Sequence, residues 1–200
     1  MPAVPSDDID IERAARAIEA GELVVYPTET VYGLGADALD IEAVESVFEA
    51  KGRGRSDPLS MAVADLATVR EYTRPTERER AFIEAFLPGP VTVVLERKPM
   101  VPDVLTAGSE RVGIRVPDHE VALELARQAG PITATSANVS GTGSARSVEE
   151  LDEAIQDATA VVLDSGETPG GGSTVVDLEN DEIHRRGARA DEIDAWLAEH

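Results

Sequence analysis

A chain of 200 residues, 42% hydrophobic but only 4% aromatic, can bury one domain-sized core built from Val, Ile, Leu and Ala. With no cysteine it carries no disulfide framework, zinc knuckle or thiol nucleophile. Its formal net charge of −21 argues against a generic nucleic-acid surface and makes every basic cluster informative.

Only Lys51 and Lys98 among the 18 basic residues are lysines. Such acidity predicts a salt-loving source, where counter-ions screen self-repulsion. An acidic protein of ordinary origin is the alternative. The N-terminal stretch is acidic and has no apolar h-region, so no signal peptide is visible. No apolar run approaches the length of a membrane span, and a cytoplasmic, membrane-free protein is expected.

Asp10 to Ala20 sets Ile11, Ala14, Ala15 and Ile18 on one side, which predicts an amphipathic helix closed by Gly21. Leu23 to Tyr26 reads as a buried strand, ended by Pro27, which has no N–H for a ladder. The segment from Tyr26 to Ala38, YPTETVYGLGADA, follows. Thr28, Glu29, Thr30 and Tyr32 supply three hydroxyls and a carboxylate. Gly33 and Gly35 allow positive φ or close approach of the backbone to something bound. A polar loop at a strand's C-terminal end is where open α/β sheets bind ligands. An ordinary strand-to-helix loop with Thr caps is the competing reading.

Ile41 to Ala50 has Ile41, Val44, Val47 and Phe48 at helical spacing. Lys51-Gly52-Arg53-Gly54-Arg55 then puts three cations into five residues. They can complement the preceding helix dipole or, with two glycines and Pro58, wrap an anion. Leu59 to Val63 reads as a strand. Thr76-Glu77-Arg78-Glu79 is a capping-box pattern opening a helix to about Phe86. Pro88-Gly89-Pro90 turns into a strand over Val91 to Glu96. Val112 to Val116 is another, with Arg111 at its start and Arg115 within it; that arginine either snorkels at an edge or points into a site.

Glu120 to Gln128 reads as a helix and Ile132 to Thr135 as a strand, followed by a second polar loop from Ser136 to Ser144. Its hydroxyls can donate to phosphate, and Asn138 can pair with a base or carboxylate. Ser147 to Glu150 is a capping-box pattern. Thr159 to Leu163 and Ser173 to Leu178 read as strands, with a mobile Glu167 to Gly172 between them. Ile183 to Arg186 and Arg189 form a third basic cluster, and Asp191 to Ala198 a closing helix. One domain over 1–200 is expected, with a core of about 10–189, no internal repeat and no interdomain linker.

No Walker A sequence, GxGxxG or GxSxG elbow is present, and His119, His184 and His200 lack metal or triad spacing. Ser136 as a nucleophile has no base on display. Hydroxyl-rich loops with a Lys/Arg pair and strand-end arginines suit a substrate bearing phosphates and a carboxylate. They favour nucleotidyl or phosphoryl transfer by positioning and charge stabilisation.

The segments YPTETVYGLGADA, KGRGRSDPLS, PGPVTVVL, VGIRVP, TSANVSG, STVVDL and HRRGA occur in an order that resembles the YrdC-like family of threonylcarbamoyl-AMP synthases. The resemblance spans about Ile11 to Ala188 and is to the short form, without an extra C-terminal domain. With the charge, it points to a halophilic archaeon. It implies a mixed α/β fold, a twisted mixed sheet flanked by helices around a basic concave pocket. It also implies a reaction in which L-threonine, bicarbonate or CO2, and ATP with Mg²⁺ give threonylcarbamoyl-adenylate and pyrophosphate. The product serves threonylcarbamoyl modification of tRNA, completed by a separate complex. Contact with tRNA or with that complex is a further expectation.

By position, the resemblance assigns Lys51, Arg53, Ser136 and Asn138 to the catalytic set. Thr30, Arg115, Ser136 and Ser173 match the threonine site, with Arg115 on the carboxylate. Lys51, Arg53, Asp57, Arg111, Asn138, Ser144, Arg146 and Arg185 match positions near the nucleotide, and no protein metal ligand is implied. The sequence departs from the family pattern at Gly54, Asp57, Ala62, Arg111 and Arg186, where proline, Asn, His, a small polar residue and proline are usual. A non-catalytic relative binding RNA or a nucleotide through the same concavity is the alternative, and a carbamoyl-transfer relative with another acceptor is a third.

Overall fold

The computed structural model describes residues 6–200, with side chains from Asp10 onward. Helix α1 (Ser6–Glu19) leads into strand β1 (Leu23–Tyr26), whose four residues are all buried. β2 (Gly33–Gly35), α2 (Ile41–Lys51), β3 (Ser60–Ala62), α3 (Leu66–Tyr72) and α4 (Glu77–Phe86) follow. Next come β4 (Val91–Glu96), α5 (Asp103–Thr106), β5 (Arg111–Arg115), α6 (Glu120–Ala129) and β6 (Ile132–Ser136). α7 (Glu153–Ala158), β7 (Thr159–Val162), β8 (Thr174–Asp177), β9 (Glu182–Arg185) and α8 (Ala190–Glu199) complete the described chain.

Among the described residues the nine strands form one mixed sheet in the order β7-β1-β2-β6-β3-β5-β4-β8-β9. Three pairings are parallel (β1 with β7, β3 with β5, β4 with β8) and the rest antiparallel. The strand alternation sorts side chains to two faces. Met61, Val93, Leu95, Val112, Ile114 and Val176 go to a large core with α2 and α4 residues such as Phe48, Phe82 and Phe86. On the other face, Val24, Tyr26, Ala62 and Ile132 pack with Ile11, Ala14 and Ile18 of α1 and Leu125 of α6.

Local chemistry sets several boundaries. Asp40 caps α2 through the N–H of Glu42 at 2.9 Å, and Gly52, at φ 56°, closes it in the left-handed conformation. At α4 both halves of the expected capping box form: Thr76 Oγ1 accepts from the Glu79 N–H, and Glu79 Oε2 accepts from the Thr76 N–H at 2.7 Å. α8 docks through buried Ile193 and through Trp196, whose ring stands edge-on to Phe82 at 5.0 Å.

Other expectations change. The segment after β1 is not a strand-to-helix loop. It folds back as β2, with Tyr26 opposite Gly33 and Val24 opposite Gly35. The two glycines accommodate the chain's own tyrosine: a Cβ on Gly33 would lie 2.7 Å from Tyr26 Cζ, and one on Gly35 3.0 Å from Tyr26 Cε1. The Ser147 capping box does not form. The serine side chain makes no cap bond, Glu150 Oε2 takes the Arg146 N–H at 2.7 Å, and only a 3-10 turn results at Val148–Glu150. The short helices α3, α5 and α7 carry too few residues for a clear period and depend on tertiary packing. Among the described residues no helix is long and apolar enough to cross a membrane.

Candidate active site

Alternation along five strands builds the floor of a cavity of about 570 Å³. Ser60 and Ala62 of β3, Thr92 and Val94 of β4, Arg111, Gly113 and Arg115 of β5, Ala134 and Ser136 of β6, and Val175 and Asp177 of β8 all line it. Each set is spaced by two, so all lie on one sheet face. Gly113 keeps the floor open, because a Cβ there would meet Thr92 Cγ2 at 3.0 Å and run into Ser60 Oγ. The wall is completed by Tyr26 at the end of β1, Thr28 and Thr30 after it, Arg53 and Pro58 after α2, Ser144 after β6, and Ser173 and Arg185 around β8 and β9.

Four arginines line this cavity, and Asp177 is its single carboxylate-bearing wall residue among those described. Arg111 is already engaged. Its Nη2 donates to Val94 O at 2.7 Å and lies 3.1 Å from Glu79 Oε1 and 3.0 Å from Asp177 Oδ1; its Nη1 is 2.7 Å from Glu179 Oε2. The expected nucleotide contact for Arg111 therefore meets a guanidinium held by three carboxylates. Arg185 donates from Nε to Ser173 O at 3.0 Å and from Nη2 to Ser173 Oγ at 2.7 Å. Its pKa is pushed down from the usual arginine value by burial, then by the charges of Arg115 and Arg53. Three guanidinium groups thus face a common space. Two of them, Arg53 and Arg185, have no carboxylate at ion-pair distance among the described residues.

Also on the wall, the Thr28 hydroxyl donates to Val31 O at 2.7 Å and accepts the Thr30 N–H at 3.1 Å. Thr30 Oγ1, 2.9 Å from Thr28 Oγ1, accepts from Arg115 Nη2 at 3.2 Å. Arg115 Nη2 also lies 2.7 Å from Glu29 Oε1. Burial raises the Tyr26 phenol, which stays a neutral donor to Thr133 O at 3.0 Å.

Lys51 takes a different place from the one its sequence neighbours suggest. It is buried behind the wall, where Nζ donates to the carbonyl oxygens of Ser136 and of Asn138, the latter at 2.7 Å. Burial, then the Arg53 charge, lowers its pKa to about 8. Arg53 donates from Nε to Asp57 O and from Nη2 to Pro58 O, both at 3.0 Å, and so fixes its own loop. Asn138 donates to Val139 O and Thr142 O, leaving its buried Oδ1 without a partner.

The structure therefore brings Thr30, Arg53, Arg111, Arg115, Ser136, Ser144, Ser173 and Arg185 to one cavity. Lys51, Asn138, Asp57 and Arg146 lie off its wall. The exposed Asp57 accepts Arg53 through its carbonyl, and Arg146 pairs with Glu167 at 2.8 Å. The segment expected to be mobile is tied at two points, Thr168 N–H to Arg146 O and Gly170 N–H to Thr30 O, both at 2.7 Å. The sequence counted Glu29 only as the carboxylate of the polar loop after β1 and gave no role to Gly113. The alternation between Arg111 and Arg115 was the available signal for Gly113. Among the described residues no group of three His, Asp or Glu could hold a metal ion.

Comparison with known proteins gives a family model for Sua5, YciO and YrdC, described as "Telomere recombination", that matches residues 16–187. A curated threonylcarbamoyl-AMP synthase of Pyrococcus abyssi is 43% identical over 171 residues, covering 84% of this chain and 50% of its own. The chain thus spans about half the length of that relative. A putative threonylcarbamoyl-AMP synthase of Mycobacterium tuberculosis is 42% identical over 171 residues, covering 84% of this chain and 78% of its own. The crystal structure of P. abyssi Sua5 complexed with L-threonine superposes with a TM-score of 0.88 at 40% identity, covering 94% of this chain and 57% of the other.

Proposed function

The chain belongs to the Sua5/YciO/YrdC family, and from that premise we propose that it is a threonylcarbamoyl-AMP synthase. The reaction joins L-threonine, CO2 or bicarbonate, and ATP into threonylcarbamoyl-adenylate and pyrophosphate. The observation that carries this reading is the cavity itself: Arg115, bonded to Thr30, lines it together with Arg53 and Arg185, which have no carboxylate at ion-pair distance among the described residues. An amino-acid carboxylate suits the first group, and a polyphosphate suits the second.

In this mechanism Arg115 and Thr30 hold the threonine carboxylate. The threonine ammonium gives up a proton to solvent, the freed amine adds to CO2 and loses a second proton as the carbamate forms, and a carbamate oxygen attacks the α-phosphorus. The bond from that phosphorus to the bridging oxygen breaks and pyrophosphate leaves. Arg53 and Arg185 stabilise charge on the phosphates as it departs. Lys51 works from behind, holding the carbonyls of Ser136 and Asn138 so that the end of β6 presents Ser136 to the cavity. Ser173, bonded to Arg185, lines the same cavity.

Magnesium would supply charge neutralisation on the triphosphate. The wall does not offer it a ligand set, since Asp177 is already engaged by Arg111. The ion would arrive on the phosphates. The product would pass to a separate tRNA-modifying complex. The test is incubation of the pure protein with threonine, bicarbonate, ATP and Mg²⁺ at high salt. Threonine-dependent pyrophosphate release is expected; its absence would overturn the reading.

A further inference from the structure

Four buried polar atoms at the Arg115 end have no hydrogen-bond partner: both carboxylate oxygens of Glu29, Nε of Arg115 and Nδ1 of His119. Buried polar groups are normally satisfied, so such a cluster calls for an explanation. Glu29 Oε1 and Arg115 Nη2 are 2.7 Å apart, a charge contact without an aligned hydrogen bond. Arg115 lines the cavity, and so do Thr28 and Thr30 on either side of Glu29, whose carboxylate lies just behind that lining against Arg115. His119 lies close enough that Glu29 is foremost among the charges raising its pKa, against the larger lowering by burial.

We propose that the Glu29–Arg115 pair is a receptor for a zwitterion, with Glu29 taking the substrate's ammonium while Arg115 takes its carboxylate. This rests on the amino-acid site argued above and adds the residue that reads the amine. The argument is one of charge. An α-amino acid inserted into an ion pair leaves every charge facing its opposite. A hydroxy acid of the same shape would draw Arg115 away and strand Glu29 beside a second anion. An ester of the amino acid would strand Arg115. A buried charge left alone is strongly disfavoured, so the pair excludes ligands carrying only one of the two charges.

The experiment measures binding of L-threonine, 3-hydroxybutanoate (threonine without its amine) and threonine methyl ester by calorimetry. Wild type should prefer L-threonine to both analogues by about tenfold or more. Glu29→Gln should weaken L-threonine by about tenfold or more, yet bind 3-hydroxybutanoate as well as or better than wild type. Those opposite responses cannot come from a damaged fold, which would lose both ligands. Glu29→Asp, which keeps the charge, should retain the preference for L-threonine. Equal losses of both ligands in Glu29→Gln, or a wild type that binds 3-hydroxybutanoate as tightly as threonine, would overturn the proposal alone. A wild type that binds no threonine would overturn the underlying amino-acid site as well.

Discussion

The ammonium of Lys51 lies 2.7 Å from the carbonyl oxygen of Asn138, so the last residue of α2 is bonded into the loop that follows β6. The reverse contact, Ser140 N–H to Lys51 O at 2.8 Å, ties the same two segments again. A lysine in a glycine-rich basic run reads as a phosphate ligand; here it braces the neighbouring wall.

That placement has a pH consequence. Burial holds the Lys51 pKa at about 8, below the ordinary lysine value of 10.5. Between those values the unfolded chain binds the proton that the folded chain has lost, so this group makes stability rise with pH. The stability of wild type minus that of Lys51→Met should grow between about pH 8 and pH 10.5, by at most ~1.4 kcal/mol per pH unit. Denaturant titrations of the two proteins across that range measure it, and a flat difference would show that Lys51 does not titrate there.

Arg115→Ala removes the proposed carboxylate partner and leaves Glu29 unpaired. Threonine binding should weaken by about 2–5 kcal/mol, the cost of losing one member of a buried charge pair. Calorimetry reads this directly. Wild-type threonine affinity in the variant would place the carboxylate elsewhere.

Arg185→Gln removes a guanidinium whose only described bonds are to Ser173. It should raise the apparent KM for ATP by an amount worth about 1.5–3 kcal/mol, as for a hydrogen bond to a charged group. The threonine KM should change far less. An ATP response no larger than the threonine response would sink the phosphate assignment.

Gly33→Ala places a methyl 2.7 Å from Cζ of a Tyr26 ring that is itself 2% exposed and cannot swing into solvent. Overpacking of this kind should destabilise the fold by ~1–3 kcal/mol. Thermal or urea melts check it, with Gly52→Ala as a contrast in which the added carbon meets nothing but the backbone is strained at φ 56°.

A net charge of −21 on a folded chain of 200 residues repels itself in dilute salt. The melting temperature should climb steadily from low to molar salt as screening shortens the reach of that repulsion. A melting temperature indifferent to salt would remove the inference of a salt-loving source.

Much of the fold could be read along the chain, because its signals are local. Pro27 ends β1, Gly52 ends α2, and the Thr76–Glu79 box starts α4; each acts within one turn of itself. The sequence left Arg115 open between an edge and a site; its place on the cavity wall with Arg111 came from the structure. Of the positions that the family resemblance assigned, eight meet in one cavity.

What the chain order could not fix was which groups neutralise which. Arg111 lies 32 residues from Glu79 and 66 from Asp177, yet these are its partners. Gly33 and Gly35 looked like room for a ligand and are room for Tyr26. Lys51 and Arg53, two residues apart, point one inward to carbonyls and one toward the cavity. Hydrogen bonds and ion pairs act over a few ångströms, so a charged side chain's role depends on the surface brought against it by pairings distant in sequence.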